Sequence, residues 1–483
     1  MSARALARVP RAAWLCALVA GLSAAGWSIL TPAFQAPDEL DHYAYVELLA
    51  EHGDPPVSRD EVQGPEEVAA LTGLDYLQVR HQPRDHTISS RAQQQALEAD
   101  VASVRERHLV NNSRAAGVAA SEPPLYYALE TIPYRLAGSV LGRLPLMRLL
   151  SAFMAALTAL FAFLFVREAL PSVGWAWIVG GLGVALAPLL GFISGSVNPE
   201  SLLYAVSAAL FYCLARGFRR GLTPRLALAI GALIAVGLAT KLNFIGLLPG
   251  ALLGLLLLGA RAARSSRRSA LGSLALACAV AAAPVALYAG LNALSRHRTL
   301  GIVSAALASA RLPAAELSYI WQLYLPRLPG MASDFPGLFT ARQLWFDGYV
   351  GLYGWFDTTF PGWVYEAALL PAAAIAALCA RELILRRAAL RRRAGELIVY
   401  ALMAAGVMAL VGAASYKSFP ARSAEFAEAR YLLPMLPLLA ALLALAARGA
   451  GRRWGPAAGA SIVVLFLAHD IFSQLLVVSR FYG

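Results

Sequence analysis

Ala36-Pro37-Asp38-Glu39-Leu40-Asp41-His42-Tyr43 packs three carboxylates together directly behind the first long apolar run of the chain. A carboxylate beside hydrocarbon costs several kcal/mol unless it gains a cation, a hydrogen-bond partner or a reaction to perform. Capping of the helix that follows accounts for one of the three, Asp38 or Asp41. It does not account for the group, which points instead to chemistry at a membrane surface.

The remainder of the sequence supplies the membrane. Apolar residues make up 59% of the 483 and charged residues 14%, a balance that excludes an ordinary soluble domain. Runs long enough to cross a bilayer lie at about 13–33, 146–166, 173–194, 200–215, 225–240, 243–260, 270–293, 363–380, 396–415, 431–447 and 457–477. The fold class expected is therefore an all-α polytopic membrane protein of about eleven transmembrane helices, forming one integral membrane domain over 1–483. The first run is too long, and its exit too poor in small residues, for a cleaved secretory signal.

Basic residues set the orientation. With Arg4, Arg8 and Arg11 in the cytoplasm, the other inner segments carry Arg167, Arg216/Arg219/Arg220/Arg225, Arg261/Arg264/Arg267/Arg268, Arg381 through Arg393, and Arg448/Arg452/Arg453, against only Glu168, Glu382 and Glu396. The net charge of +12 thus reads as topology, with anionic membrane lipid as partner and no need for nucleic acid. Cys16, Cys213, Cys278 and Cys379 each fall in an apolar run without paired spacing, which argues against a disulfide or zinc framework.

A large first outer loop, 34–145, then holds 17 of the 29 Asp and Glu residues and five of the seven histidines. Helical patterns at about 40–52, 89–109 and 124–141 give this loop interfacial helices. His81, His86 and His108 lack the spacing of a zinc site. A second outer loop, 294–362, is rich in aromatic residues, including Trp321, Trp345 and Trp355, with Trp363 just beyond it. These suit either an interfacial belt or a sugar-stacking lid, with Trp355 and Asp357 in a turn that brings backbone close to a ligand.

Sugar transfer from a lipid phosphate needs a base for the acceptor hydroxyl and cations for the departing phosphate. Asp38 is the leading base and Glu39 the second, with Asp41 and His42 as supports. Lys241 is the only basic residue between Arg225 and Arg261, and holds a phosphate as a point charge or else snorkels to the headgroups. Arg430, which opens the tenth run, offers a planar fork for phosphate or an interfacial anchor. Arg422, Tyr126, Tyr127, Asn198 and Glu200 complete the candidate set.

The chain resembles the GT-C class of integral membrane glycosyltransferases, and within it the poorly characterised bacterial families with a Pro-Asp-Glu motif opening the first outer loop. The resemblance is carried, in order, by Pro37-Asp38-Glu39 with His42-Tyr43, Pro123-Pro124-Leu125-Tyr126-Tyr127, Asn198-Pro199-Glu200-Ser201-Leu202-Leu203, Thr240-Lys241 and Arg430-Tyr431-Leu432-Leu433-Pro434. It implies a GT-C-like bundle in the bacterial plasma (inner) membrane with the active site on the outer face. It also implies a polyprenyl-phosphate-linked sugar as donor, and a first-loop acid as catalytic base, which maps to Asp38 with Glu39 beside it. The acceptor would be an envelope polysaccharide, lipid or protein. Members differ in their need for a divalent metal, and the second-loop acid is here Glu200 in an Asn-Pro-Glu context. The rival reading is a transporter or flippase for lipid-linked sugars, which would place ionisable groups at mid-membrane rather than in one outer loop.

Overall fold

Helices form wherever the apolar runs are long enough to satisfy their own backbone polar groups out of water. The computed structural model of the chain describes residues 9–60, 64–81, 90–104, 113–295, 314–333, 340–422 and 427–483. Among the described residues nine helices are long and apolar enough to span a bilayer: Arg11–Leu30, Val140–Ala169, Glu200–Arg220, Leu242–Ala263, Arg267–Leu287, Gly362–Leu385, Ala394–Lys417, Ala429–Gly449 and Gly451–Tyr482. The chain is an all-α polytopic membrane protein.

The other two runs read from the sequence are also helical, but altered. The run at 173–194 is broken into Gly174–Ala185 and Pro188–Ser194, bent by 51°. Pro188 has no N–H to give and pushes Ala187 into an extended conformation (φ −74°, ψ 112°). The run at 225–240 becomes Pro224–Thr240, an apolar helix of 17 residues, at the short end of what crosses hydrocarbon.

Val140–Ala169 is the central mast, packed along both Arg11–Leu30 and Glu200–Arg220. Where Leu242–Ala263 meets Ala394–Arg422, Gly406 lies against the backbone carbonyl of Gly246, with no room for a Cβ. Only a pair of glycines lets these two backbones approach so closely. The first and last spans are joined by a buried carboxylate: Asp470 accepts from Trp27 Nε1 at 3.0 Å and from Ser23 Oγ at 2.9 Å.

The three acids of the basic segments are all paired. Glu168 meets Arg219 at 3.0 Å and Arg220 at 2.8 Å, Glu382 meets Arg448 at 3.2 Å, and Glu396 meets Arg393 at 2.7 Å. Cys16, Cys213 and Cys379 are buried and Cys278 exposed, all as free thiols.

Between the first two long spans, the described residues of 34–139 include the short helices Glu39–His52, Pro65–Gly73, Tyr76–His81, Arg91–Val104 and Leu125–Tyr134. Phe34, Tyr43, Tyr45, Tyr126, Tyr127 and Tyr134 form an apolar core together with Leu144, Met147 and Met154 of the second long span. His86 and His108 lie outside the described residues. The turn expected near Gly351–Asp357 is a two-residue antiparallel ribbon pairing Leu352 with Thr359 and Tyr353 with Thr358, closed through left-handed Gly354 and Phe356.

Candidate active site

The loop from the first span to Glu39–His52 turns sharply through two left-handed residues, Phe34 and Asp38, each at φ 62°. A non-glycine residue there stores about 1 kcal/mol or more of strain and persists only where neighbours hold it. The holder is Glu39. Fully buried, it meets Arg148 Nε at 2.7 Å and Nη2 at 2.5 Å, and accepts from the backbone N–H of Phe34 and of Val197, each at 3.0 Å. Arg148 in turn donates to the carbonyls of Ser28, Thr31 and Pro32 at 2.8, 2.7 and 3.0 Å. Each Glu39 oxygen thus accepts two hydrogen bonds. Of the two acids read as the leading and second base, Glu39 faces this buried knot, and Asp38 turns the other way.

Asp38 sits at the cap position of Glu39–His52 but makes no capping hydrogen bond. Its Oδ2 accepts instead from Arg430 Nη2 at 2.9 Å. Burial alone would raise the Asp38 carboxyl, but the Arg430 guanidinium, aided by Lys241, holds it below the usual carboxylate range.

Arg430 lies in a 3-10 turn, Ala429–Met435, that leads into the tenth run under the constraint of Pro434 and Pro437. Only 4% exposed, it also meets Glu428, Nε to Oε2 at 2.5 Å and Nη2 to Oε1 at 3.1 Å. Its Nη1 is buried with no hydrogen-bond partner. An orphaned guanidinium N–H is costly, and a ligand oxygen is the usual way it is satisfied. Burial pushes Glu428 up to about 7.

Lys241 does not reach out to headgroups. It is 8% exposed and meets Glu200 Oε1 at 3.0 Å and Glu122 Oε1 at 3.7 Å. Burial opposes its charge, but Glu200 and Glu122 raise it above the usual ammonium value. Glu200 opens its helix, where the dipole favours an anion, and Asn198 Oδ1 accepts from its N–H at 3.0 Å. The Tyr204 hydroxyl, one turn on, lies 2.7 Å from Glu200 Oε2 and 3.0 Å from the Arg430 carbonyl, between the two cation sites. Asn198 Nδ2 and Glu122 Oε2 are further buried atoms without partners.

The remaining candidates are distributed unevenly. His42, pushed down to about 3 by burial and then by Lys241, is neutral near pH 7, and its Nδ1 lies 2.9 Å from Tyr127 Oη. Tyr127 stacks on Tyr45 at 3.7 Å, and Tyr126 Oη lies 2.7 Å from Ser151 Oγ; the three tyrosines belong to the buried core of the first loop. Asp41 Oδ2 accepts from Val118 N–H at 2.9 Å, over Gly117, where a Cβ would strike its carboxylate. Trp355 is not free for a sugar on both faces, since the Arg80 guanidinium lies 3.5 Å from its ring centre, and Asp357 pairs with Arg480 at 3.2 Å. The helix Ala394–Arg422 ends at Arg422, whose side chain lies outside the described residues.

A cavity opens on Arg430 and Glu428. Leu189, Phe192 and Ile193 form one wall, Leu344, Leu352 and Phe356 another, with Pro37, Glu428 and Arg430 at the polar end. Among the described residues no three His, Cys, Asp or Glu side chains are placed to hold a metal ion.

Residues 22–439 match the family model described as "Predicted membrane protein (DUF2142)". The chain belongs to the DUF2142 family. No curated protein matches this DUF2142 chain. Among solved structures, ArnT from Cupriavidus metallidurans bound to undecaprenyl phosphate is similar at 14% identity and a TM-score of 0.45, over 89% of this chain and 59% of that one. The apo state of the same protein gives 13%, 0.39, 84% and 58%. The DUF2142 chain therefore spans less than two thirds of the length of the structures it matches.

Sequence reasoning passed over Glu122, Glu428, Tyr204 and Arg148. Two were signposted: Glu122 immediately precedes Pro123-Pro124, and Glu428 lies two residues before Arg430. Arg148 was visible as a lone charge inside an apolar run, which demands a buried partner.

Proposed function

We propose that the chain is an inverting GT-C-type glycosyltransferase, which moves a sugar from a polyprenyl-phosphate donor to a cell-envelope acceptor at the outer face of the bacterial plasma membrane. In this reading the whole chain is one integral membrane domain with a cytoplasmic N-terminus, and residues 34–145 and 294–362 are its two outer loops. The observation that carries it is the buried Arg430 guanidinium, shared between Asp38 and Glu428 with Nη1 unpartnered, at the polar end of an apolar cavity.

The acceptor hydroxyl gives its proton to Asp38. Arg430 engages Oδ2, so Oδ1 is the receiving oxygen. The acceptor oxygen attacks the anomeric carbon from the face opposite the phosphate, the bond to the phosphate oxygen breaks, and its electron pair leaves with the lipid phosphate through an oxocarbenium-like transition state. Arg430 and Lys241 stand oriented before the reaction to meet that charge, which makes their electrostatic contribution the largest the protein supplies. A phosphate on Arg430 also draws its field away from Asp38, making the carboxylate a stronger base when the donor is bound. No step here runs through a metal.

The test is incubation of purified protein with a panel of polyprenyl-phosphate sugars, with and without divalent metal, scoring donor consumption and product. Transfer that depends on Asp38 supports the reading. Translocation of the intact lipid-linked sugar without transfer would replace it with a flippase.

A further inference from the structure

Four carboxylates, Asp38, Glu122, Glu200 and Glu428, surround two cations, Lys241 and Arg430. An anionic ligand adds to an excess of negative charge, so its binding needs a compensating proton or the departure of a resident anion. Arg430 makes the conflict specific, because two carboxylates already hold its Nε and Nη2 and leave a phosphate only Nη1 unless one of them yields.

Of the two, Glu428 is the one placed to yield. Asp38 is fixed from behind by the Glu39–Arg148 knot and by its left-handed backbone. Glu428, one methylene longer than Asp38, sits at the cap of the Ala429–Met435 turn, where its carbonyl accepts from Tyr431 N–H at 3.0 Å. The backbone is pinned, and the carboxylate lines the cavity beside Arg430. With 20% of its side chain exposed, it is poorly solvated if it loses the guanidinium. The charges facing it are Arg430 on its own turn, Asp38 from the first loop, Glu200 from the fourth-run helix and Lys241. Remaining near Asp38 and Glu200 without Arg430, it would be a third anion in one pocket, and protonation removes that repulsion.

Resting on the phosphate-binding role given above, we propose that Glu428 is a resident stand-in anion on Arg430, which an incoming phosphodiester displaces, and that Glu428 takes up a proton in place as the ligand binds. The direction of coupling follows from linkage: binding that takes up a proton weakens as pH rises, by up to about tenfold per pH unit once Glu428 is ionised in the free protein. Glu428 titrates at about 7 before binding, so the dependence is concentrated above neutrality.

The experiment is calorimetric titration of the full chain in detergent with farnesyl methyl phosphate, a diester with no proton of its own to exchange near neutral pH. Two buffers of different ionisation enthalpy at about pH 8 give the proton count. The wild type is expected to take up about one proton per ligand, and Glu428→Gln close to none, with an affinity that no longer falls with pH. Infrared difference spectra of the wild type should gain a protonated-carboxyl band on probe binding, a readout that needs no variant to fold. Proton release, no exchange, or uptake that survives in Glu428→Gln or vanishes in Glu122→Gln would overturn the inference. Unchanged affinity in Arg430→Ala would overturn the phosphate site itself, a separate failure.

Discussion

Arg430 Nη2 donates to Asp38 Oδ2 at 2.9 Å, joining residues 392 apart in the chain. The contact brings an acid from the start of the sequence onto a guanidinium from near its end that lines the cavity, and Asp38 makes no capping hydrogen bond to its own helix.

Asp38→Asn keeps the size and a hydrogen-bond acceptor for Arg430 but removes the base. Turnover in the transfer assay should fall by about two to four orders of magnitude, with an unchanged elution profile. Near-normal transfer by a folded variant would remove Asp38 from the chemistry.

Arg430→Lys keeps the charge and loses the planar fork. Donor affinity should drop by about tenfold or more, measured by equilibrium binding of a polyprenyl-phosphate probe. Equal affinity would show that a point charge is sufficient.

Glu39→Gln leaves Arg148 buried beside a neutral partner. Removing one member of such a pair costs about 3–5 kcal/mol, so thermal and denaturant unfolding in detergent should shift strongly, whereas Asp38→Asn should shift little. A stable, inactive Glu39→Gln would reverse the roles assigned to the two neighbours.

Gly406→Ala puts a methyl group against the Gly246 carbonyl. Overpacking of this kind costs about 1–3 kcal/mol, read as a lower melting temperature. An unaffected melting point would mean that the two spans can separate freely.

The contribution of Glu428 to the stability of the free protein should also fall as pH rises from about 5 to 8. Glu428 is raised in the folded state to about 7 from 4.5, so between those values it binds more proton in the folded chain than in the unfolded one and its contribution falls with pH, while buried His42, held down at about 3 from 6.5, contributes with the opposite sign up to about pH 6.5. Glu428→Gln should remove that slope, seen in melts of both proteins across the range. A difference between the two curves that fails to fall with pH over this interval would contradict the burial of Glu428.

Much of the architecture is legible one residue at a time. Every apolar run became a helix because hydropathy and backbone satisfaction are local demands, met within about 20 residues. The break before Pro188 was equally local, and the proline was the sign. Asp38, Lys241 and Arg430 stood out for a related reason: a charge beside an apolar run is expensive wherever the chain goes.

The sequence placed Asp38 ahead of Glu39 as the base, but it could not show that the two side chains part. The two are adjacent and chemically alike, and their fates diverge because one residue at φ 62° sends consecutive side chains to opposite sides of a turn. The surplus of carboxylates around Lys241 and Arg430 was hidden for a second reason, since Glu122, Glu200 and Glu428 come from three distant segments. Composition and hydropathy determined a membrane bundle with charge at its rim. Which of those charges meet was decided by the packing of helices far apart in the chain, because an ion pair in low dielectric depends on a few ångströms of separation that local sequence does not encode.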